Sequence, residues 1–376
     1  MVNIESLSVM LGGRHVGTLA PYKKYLTAFA YTTEWIESGF SLNPFYMPLQ
    51  KDVFIAKYDP FNGIQGVFAD SLPDGWGRLL VDRMLLRNGE DPMAIGQINR
   101  LALVGKSGMG ALEYIPEIKW NAGNDDYSYD VLAEKCRKIL ASEEIEDLDA
   151  MVRMGGSSGG ARPKVLVTVD GEEWLVKFPS SSDPDNIGRM EYDYARCASH
   201  CGVEISETRL FDSEYCDGYF GVKRFDREKL SDGQTTKVHM ASASALLNVS
   251  HRIPALDYNS LMALTWQLTR NSVETEKMFR LMCFNVFAHN RDDHSKNFSF
   301  LCHDGRWTLA PAYDLTYSNS IGGEHATSVN GNGRDPEVKD LLAVASKAGL
   351  NKTWAEETAE EIKETVNAEL SCYLKN

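Results

Sequence analysis

The sequence has few cysteines, no long apolar run and a deficit of positive charge, and each shortage excludes a class of protein. Seven cysteines among 376 residues, an odd number, do not suit a disulfide framework and are typical of reduced thiols in the cytosol. The apolar stretch 278–288 is interrupted by Arg280 and is shorter than the roughly 20 residues of a membrane span. We therefore expect a cytoplasmic protein that does not cross a membrane.

Acidic residues outnumber basic ones by a wide margin. The 53 Asp and Glu against 39 Lys and Arg give a net charge of −14. Such a chain repels a phosphate backbone as a whole, so direct nucleic-acid binding would need a local basic patch or a basic partner. Residues 1–5 lack a basic region followed by an apolar stretch, so we expect no secretory signal.

The residue pattern predicts three parts: a β-rich part at 1–118, a smaller hairpin-containing part at 119–228 and a helical part at 229–376. Alternating residues on both sides of Gly12-Gly13 predict a hairpin in the first part. The polar residues 120–126 predict a linker. In the second part, Asp170-Gly171 between two β-rich runs is the strongest short-range signal for a hairpin.

Capping residues predict where helices begin. Asp70 and Ser71 are candidate caps for a helix that runs through Met84, although Pro73 favours a turn before it. Thr353 is a candidate cap for the last helix.

A glycine-rich run at 155–164, Gly-Gly-Ser-Ser-Gly-Gly-Ala-Arg-Pro-Lys, is the first feature that indicates chemistry. Glycines let backbone N–H groups converge on an anion, and Arg162 and Lys164 add positive charge. The run is not a Walker A loop, because no Ser or Thr follows Lys164. Taken alone, it is explained equally well as a flexible turn before the hairpin.

Lys177 lies among apolar residues on a predicted strand. Such a lysine must either reach solvent or meet an anionic partner. Protein kinases place a lysine of this kind against nucleotide phosphates and a helix glutamate, for which Glu191 is the candidate. Glu204 and Glu207 follow the predicted helix and fit less well. A solvent-facing lysine is the commoner explanation for Lys177 in isolation.

The strongest pattern is at 289–297, His-Asn-Arg-Asp-Asp-His-Ser-Lys-Asn. Asp292, four residues and then Asn297 have the spacing of a kinase catalytic loop. The aspartate can orient a hydroxyl and accept its proton, while the asparagine oxygen reaches Mg²⁺. Lys296 can neutralise charge on a transferring phosphoryl group. A solvated charged loop is the alternative, but apolar stretches flank this run on both sides.

Asp314, in Ala-Tyr-Asp-Leu, follows soon after and is expected to close a strand, where a kinase places its second Mg²⁺ ligand. A turn aspartate that caps a helix is the ordinary alternative. All these features occur in the sequence order of a kinase, which independent coincidences rarely reproduce.

The chain resembles the HipA family of bacterial serine/threonine kinases, the toxins of type II toxin–antitoxin modules. Residues 70–77 and 105–114 look like its N-terminal signature, and 157–164 like its phosphate loop. The other matches are Lys177, the hinge motif Arg224-Phe225-Asp226-Arg227, the catalytic-loop residues Asp292, His294 and Asn297, and the metal aspartate Asp314.

The resemblance implies an α+β, two-lobed protein-kinase-like fold with an additional β-rich N-terminal sub-domain and a helical C-terminal lobe. ATP is expected between the hairpin part and the helical part, with Mg²⁺. The implied catalytic residues are Asp292 and Lys296, and the implied metal ligands are Asn297 and Asp314. The implied nucleotide-binding residues are Ser157, Ser158, Gly159, Gly160, Ala161, Arg162, Lys164, Lys177, Glu191, Lys223, Arg224, Phe225 and His294.

The resemblance also implies a biological setting. The substrate would be a serine or threonine of a cellular protein; in the founding member it is an aminoacyl-tRNA synthetase, and its phosphorylation favours dormancy. Ser157, or its neighbour Ser158, would be autophosphorylated. A small helix-turn-helix antitoxin would bind the kinase and supply the DNA contacts. Two alternatives remain, a non-catalytic nucleotide-binding scaffold that acts with an antitoxin on DNA, and a small-molecule phosphotransferase.

Overall fold

The structure is a computed structural model that describes residues 4–119, 126–320 and 322–374. The chain folds into two compact units. The first comprises Met1–Arg189 with Arg209–Met240, and the second comprises Met190–Thr208 with Ala241–Asn376. The predicted linker at 120–126 lies outside the described residues except for Asp126. The predicted boundaries near 118 and 228 stay predictions.

The first unit begins with a five-stranded antiparallel sheet in the order β4-β3-β2-β1-β5. Its strands are β1 (Leu7–Leu11), β2 (Arg14–Tyr22), β3 (Leu26–Tyr31), β4 (Phe54–Ile55) and β5 (Leu112–Ile115). The β1–β2 turn contains Gly12 and Gly13, both with positive φ, and confirms the predicted hairpin. Alternate side chains such as Leu7, Val9 and Phe29 are fully buried on one face.

Four helices accompany this sheet: α1 (Thr33–Ser38), α2 (Gly66–Ala69), α3 (Gly75–Arg87) and α4 (Gln97–Val104). The cap predicted for α3 is wrong, because its N-cap residue is Asp74 and not Asp70 or Ser71. Pro73 explains the difference, since proline disfavours helical geometry in the residue before it and delays the start of the helix.

The rest of the first unit contains a second sheet, in the order β6-β7-β9-β8. The elements here are α5 (Tyr129–Leu140), α6 (Leu148–Gly155), β6 (Lys164–Val169), β7 (Glu172–Lys177), β8 (Thr208–Phe211), β9 (Tyr219–Lys223), and the ribbon β10 (Arg227–Lys229) with β11 (Thr235–Lys237). β12 (His239–Ser242) spans the boundary between the two units. Asp170 and Gly171, both with positive φ, form the predicted two-residue turn between β6 and β7. Trp76, Met151 and Phe178 are buried in one core that joins α3, α6 and this sheet.

The second unit is mainly helical, as predicted. Its helices are α7 (Ile187–His200), which starts three residues before the unit boundary, α8 (Ala243–Leu247), α9 (Tyr258–Thr269), α10 (Ser272–Phe287), α11 (Val338–Lys347) and α12 (Lys352–Leu370). Short strands complete it: β13 (Leu256–Asp257), β14 (Ser299–His303), β15 (Arg306–Leu309) and β16 (Thr327–Ser328). α10 packs against α9 and α12 through buried side chains.

The start of α12 differs from the prediction. Its N-cap is Asn351, whose side chain accepts a hydrogen bond from Trp354 N at 3.0 Å, and Thr353 lies within the first turn. Asparagine is among the preferred N-cap residues. Asn351 is also two residues closer than Thr353 to Gly349, whose positive φ follows the end of α11. In the described part of the chain, no helix combines the length and the apolar character needed to cross a membrane.

Candidate functional site

The glycine-rich loop follows α6 directly and is held by the segment that leads into α3. Asp74 Oδ1 accepts a hydrogen bond from Gly160 N at 2.5 Å, and Gly160 O accepts one from Trp76 N at 2.8 Å. Gly160 has a φ of +79°, a conformation that favours glycine. The N-terminal part of the first unit therefore fixes the position of the loop.

The close approach of these two segments depends on glycine. A Cβ on Gly75 would lie 2.2 Å from Gly160 O, and a Cβ on Gly77 would lie 2.2 Å from Ser158 O. Any side chain at either position would push the loop away. This gives a physical reason for the pattern at 70–77, which the sequence alone had linked to function only by resemblance.

The two serines predicted to be autophosphorylated are both buried in this conformation. Ser157 is 6% exposed and its Oγ donates to Ser107 O at 2.9 Å. Ser158 is 2% exposed and its Oγ donates to Gly155 O at 2.6 Å. The loop must therefore move before either hydroxyl can reach another molecule, and their modification stays a prediction.

Two buried lysines lie next to the loop, directly opposite each other on neighbouring strands. Lys164 begins β6 and Lys177 ends β7, and their Cα atoms are paired in the antiparallel register. They are only 6% and 8% exposed. Lys164 Nζ donates to Gly159 O at 2.7 Å, and Lys177 Nζ lies 5.5 Å from the ring centroid of Phe220. Because directly opposed residues project to the same side of the sheet, both ammonium groups lie in the same region beside the loop.

Arg162 is also in the loop region, but its charge is paired. Its guanidinium lies 3.0 Å from Asp183 Oδ1. Burial raises the pKa of Asp183, but hydrogen bonds from Ser180 and the charge of Arg162 outweigh it and hold this pKa below its ordinary value. The loop residues Gly159 and Ala161 are more exposed than the serines before them.

The predicted hinge motif forms a buried ion network in the first unit. Arg224 Nη2 lies 2.8 Å from Asp226 Oδ2 and donates to Gly108 O at 3.1 Å. Asp226 Oδ2 also accepts from Gly110 N at 2.6 Å. Burial raises the pKa of Asp226, but Arg224 and Arg227 together hold it below its usual range. The network ties the glycine turn near 108 to the strands of the second sheet.

Sequence reasoning missed this network, although the acidic and basic residues of the motif indicated ion pairing. Lys223 is also paired, with Nζ 2.7 Å from Glu172 Oε1. The charged ends of Lys223 and Arg224 are thus engaged within the first unit. A nucleotide role for these two residues and for Phe225 stays a prediction.

In the second unit, the catalytic-loop pattern contains two neighbouring aspartates in opposite environments. Asp292 is exposed, whereas Asp293 is fully buried. Asp293 accepts hydrogen bonds from Tyr258 Oη at 2.9 Å, His325 Nδ1 at 3.0 Å and Thr327 N at 3.1 Å. Only Asp292 is therefore placed to act on another molecule.

The contacts of Asp293 continue into the helices. Asn285 Nδ2 donates to Tyr258 Oη at 3.0 Å, and Asn290 Nδ2 donates to Asn285 Oδ1 at 2.9 Å. Burial, with the charge of Asp293, raises the pKa of Tyr258 well above its ordinary value. This network anchors the loop that carries Asp292. Sequence reasoning missed it, and the only local signal was the second aspartate of the tandem pair.

The predicted metal ligands are on neighbouring segments of the second unit. Asn297 ends a single 3₁₀ turn (Ser295–Asn297), and its Nδ2 donates to Asp292 O at 2.7 Å. Tyr313 Oη donates to Lys296 O at 2.5 Å. Tyr313, which precedes Asp314, therefore contacts Lys296, which precedes Asn297.

The expectation that Asp314 closes a strand is wrong. β15 ends at Leu309, and the chain continues through an isolated parallel bridge between Ile205 and Ala312. Asp314 itself has a φ of +53°. This left-handed conformation is one that aspartate tolerates better than most residues other than glycine.

The donor set fits magnesium. Mg²⁺ prefers oxygen ligands and usually takes one or two side chains together with water and substrate phosphates. Asn297 and Asp314 supply an amide oxygen and a carboxylate. Among the described residues no group of three or more His, Cys, Asp and Glu side chains could hold a metal ion.

Two further predicted residues belong to the second unit. Glu191 on α7 is 3% exposed, while its predicted partner Lys177 belongs to the first unit. His294 packs edge to face with His251, and its buried Nδ1 has no hydrogen-bond partner among the described residues.

Comparison with protein families matches most of the chain. The family model described as the HipA N-terminal domain matches residues 7–115, and the model described as the HipA-like C-terminal domain matches residues 156–370. The second match alone covers more than half of the chain.

The chain belongs to the HipA family. It is 24% identical to Y4mE of Sinorhizobium fredii, a protein described as a kinase, over 84% of this chain and 77% of that one. It is 22% identical to the serine/threonine-protein kinase toxin HipA of Shewanella oneidensis, over 82% and 74% of the two chains.

A solved structure confirms the predicted α+β, kinase-like fold of the HipA type. It is the complex of HipA, HipB and operator DNA from the toxin–antitoxin system of Shewanella oneidensis MR-1. A chain of that complex matches with a TM-score of 0.70 at 19% sequence identity, over 98% of this chain and 91% of the other.

Proposed function

We propose that this chain is an ATP- and Mg²⁺-dependent kinase that transfers the γ-phosphoryl group to a serine or threonine of a protein. The observation that carries the proposal is the tandem of Asp292 and Asp293. One carboxylate is exposed, and its neighbour is buried and holds the loop through three hydrogen bonds. Phosphoryl transfer depends mainly on positioning and electrostatics, and an anchored loop provides both.

The predicted site residues of the second unit then have distinct roles. Asp292 orients the attacking hydroxyl and accepts its proton. Asn297 and Asp314 hold Mg²⁺, which when bound neutralises charge on the phosphates. Lys296 stabilises negative charge on the transferring group. The hydrogen bond from Asn297 Nδ2 to Asp292 O fixes the distance between the base and the metal ligand along the loop.

In the first unit, Lys164 and Lys177 bind the phosphates together with the backbone of the loop from 157 to 164. The support for this role is that both lysines are buried, project to the same side of the hairpin and lie at the strand ends next to the loop. Glu191, Lys223, Arg224, Phe225 and His294 are proposed to complete the nucleotide site.

We further propose a toxin–antitoxin setting. The support is the Shewanella complex, in which a HipA chain is accompanied by HipB and operator DNA. This chain would bind a small helix-turn-helix antitoxin and reach DNA only through it, which agrees with its net charge of −14. Its substrate would be a cellular protein such as an aminoacyl-tRNA synthetase, with Ser157 or Ser158 as a site of self-modification.

The test is transfer of labelled phosphate from ATP to proteins of a cell lysate, followed by location of the modified residues by mass spectrometry. The Asp292→Ala variant should fold normally and lose about 10²–10⁴-fold in rate. Glu364→Ala, which removes an exposed carboxylate from α12, is the matched control and should keep full activity.

Other outcomes would contradict the proposal. Transfer retained by Asp292→Ala would remove this residue from catalysis. Label on a metabolite instead of a protein would indicate a small-molecule phosphotransferase. ATP binding without any transfer, together with operator binding only in the presence of a partner, would indicate a regulatory scaffold.

A further inference from the structure

A tyrosine of the second unit joins the two segments that carry the proposed metal ligands. Tyr313 Oη donates a hydrogen bond to Lys296 O at 2.5 Å, and it lies 2.6 Å from Ser299 Oγ. A phenol has a single hydrogen, so a Tyr313 hydroxyl that donates to Lys296 O must accept its second hydrogen bond from Ser299 Oγ. The Tyr313 hydroxyl is thus fixed from two sides.

The β14–β15 hairpin brings these two segments side by side. Its antiparallel ladder is extended by a backbone hydrogen bond from Ala310 N to Ser299 O at 2.9 Å. Further along, Ala312 N donates to Glu204 O at 2.8 Å, so this backbone group pairs with the segment that follows α7 and not with the hairpin partner. The side chain of Tyr313 connects the two segments beyond this point.

The hydrogen bond to Lys296 O acts on Asn297 through the peptide bond between these two residues. Lys296 O and Asn297 N belong to one planar group. Tyr313 holds the oxygen of this group, and its N–H donates to His294 O at 2.8 Å. The side-chain amide is held as well, because Asn297 Nδ2 donates to Asp292 O at 2.7 Å. The orientation of Asn297 therefore depends in part on Tyr313.

Tyr313 also constrains the other proposed ligand, Asp314, which is the next residue in the chain. A tyrosine side chain is rigid and has only two rotatable bonds, so a fixed hydroxyl restricts the backbone to which it is attached. The contact with Lys296 O thus limits the separation of Asn297 and Asp314. Such a limit matters for Mg²⁺, because this ion demands near-ideal octahedral geometry with ligands at about 2.0–2.1 Å.

We propose that Tyr313 is a positioning residue, whose hydroxyl holds Asn297 and Asp314 at the separation that one Mg²⁺ ion requires. The inference rests on the proposed function, because that function assigns these two residues to the metal. Tyr313 acts through them, since its hydroxyl is engaged by Lys296 O and Ser299 Oγ. Removal of the hydroxyl should therefore weaken the contribution of the metal to nucleotide binding and leave the contacts of the nucleotide itself intact.

Calorimetric titration with the non-hydrolysable imido analogue of ATP tests the inference without any phosphoryl transfer. The quantity measured is the ratio of the Kd in EDTA to the Kd in saturating Mg²⁺. Tyr313→Phe keeps the ring and removes only the hydroxyl. It should lower this ratio by about three- to tenfold, the factor that corresponds to one hydrogen bond. Its Kd in EDTA should equal that of the wild type.

Three further variants separate positioning from a general effect on the fold. Tyr373→Phe loses a tyrosine hydroxyl that donates to Asp193 Oδ2 at 2.8 Å, outside the segments of the metal ligands, and should keep the wild-type ratio. Asp314→Ala removes a proposed ligand and should lower the ratio at least as much as Tyr313→Phe. Ser299→Ala loses the hydrogen bond that orients the Tyr313 hydroxyl and should lower the ratio by about twofold, which tests the inference even where Tyr313→Phe fails to fold.

The outcomes distinguish this inference from the proposed function. A ratio lowered in Tyr313→Phe and Asp314→Ala supports the inference even if no phosphate reaches a protein. A wild-type ratio in Tyr313→Phe with a lowered ratio in Asp314→Ala would overturn the inference alone, as would an equal loss in Tyr373→Phe. A wild-type ratio in both Tyr313→Phe and Asp314→Ala, or no effect of Mg²⁺ on the wild type, would overturn the metal assignment and the inference together.

Discussion

Lys164 and Lys177 lie directly opposite each other at the open end of the β6–β7 hairpin, and both are buried. Opposed residues of an antiparallel pair project to the same side of the sheet, so the two ammonium groups share one environment. Their shared position beside the glycine-rich loop, which Lys164 Nζ contacts at Gly159 O, supports the phosphate-binding role proposed for both lysines.

Replacement of Lys177 should weaken nucleotide binding. We expect Lys177→Met to raise the Kd for ATP with Mg²⁺ by about tenfold or more, because a hydrogen bond to a charged group contributes roughly 1.5–3 kcal/mol. Calorimetric titration measures this. Lys138→Met, which replaces a lysine on α5 whose side chain is 42% exposed, is the control and should leave the Kd unchanged. Equal affinities in the wild type and Lys177→Met would exclude Lys177 from the site.

The neighbouring aspartates should respond to the same substitution in opposite ways. Asp292→Asn should abolish phosphoryl transfer while changing the free energy of unfolding by less than about 0.5 kcal/mol, because Asp292 is exposed. Asp293→Asn should lower the free energy of unfolding by about 2–4 kcal/mol, because it disturbs three buried hydrogen bonds.

Urea unfolding and a transfer assay on both variants separate the two roles. Each protein serves as the control for the other, since the chemical change is identical. The assignment fails if Asp293→Asn unfolds like the wild type, or if Asp292→Asn still transfers phosphate at the normal rate.

Short-range features of this molecule could be predicted from the sequence. The turn at Asp170-Gly171 sets the register of β6 and β7, and that register places Lys164 opposite Lys177 by simple counting. Asp292 and Asn297 likewise lie within a single loop, so their spacing in the sequence was sufficient to predict that they lie close together. Local sequence is sufficient where a turn type determines the geometry.

Long-range contacts could not be predicted in this way. The partners of Asp293 are 32 to 35 positions away along the chain, and the hydrogen bond from Gly160 to Asp74 joins residues 86 positions apart. Periodicity and capping preferences contain no information about which distant segments meet. The hydrogen bonds of Asp293 that anchor the loop carrying Asp292, and the hydrogen bond between Asp74 and the glycine-rich loop, could therefore be found only from the structure.

The ion network of the hinge motif should be sensitive to loss of its buried acid. Asp226 is fully buried and faces Arg224 and Arg227, so Asp226→Asn leaves two cations without their main counter-charge. We expect a loss of about 3–5 kcal/mol in the free energy of unfolding. Hydrogen exchange at Gly110 should become faster, because its N–H donates to Asp226 Oδ2.

Glu173→Gln gives the matched comparison for Asp226→Asn. Glu173 pairs with the same arginines, but its side chain is 40% exposed, so its loss should cost less than about 1 kcal/mol. Similar losses in both variants would show that burial is not what makes Asp226 important.

His239 should make the stability of the protein depend on pH. Burial lowers the pKa of His239 to about 4, and its Nε2 is 3.3 Å from Leu42 O. Between pH 6.5 and 4 this histidine binds a proton in the unfolded chain but not in the folded chain. The contribution of His239 to the free energy of unfolding therefore rises with pH in this window and is constant above it. From pH 7 to pH 5 the wild type should lose about 2 kcal/mol more than His239→Gln, which keeps an N–H donor but cannot titrate. Urea unfolding at both pH values measures the difference, and parallel pH profiles for the two proteins would exclude the effect.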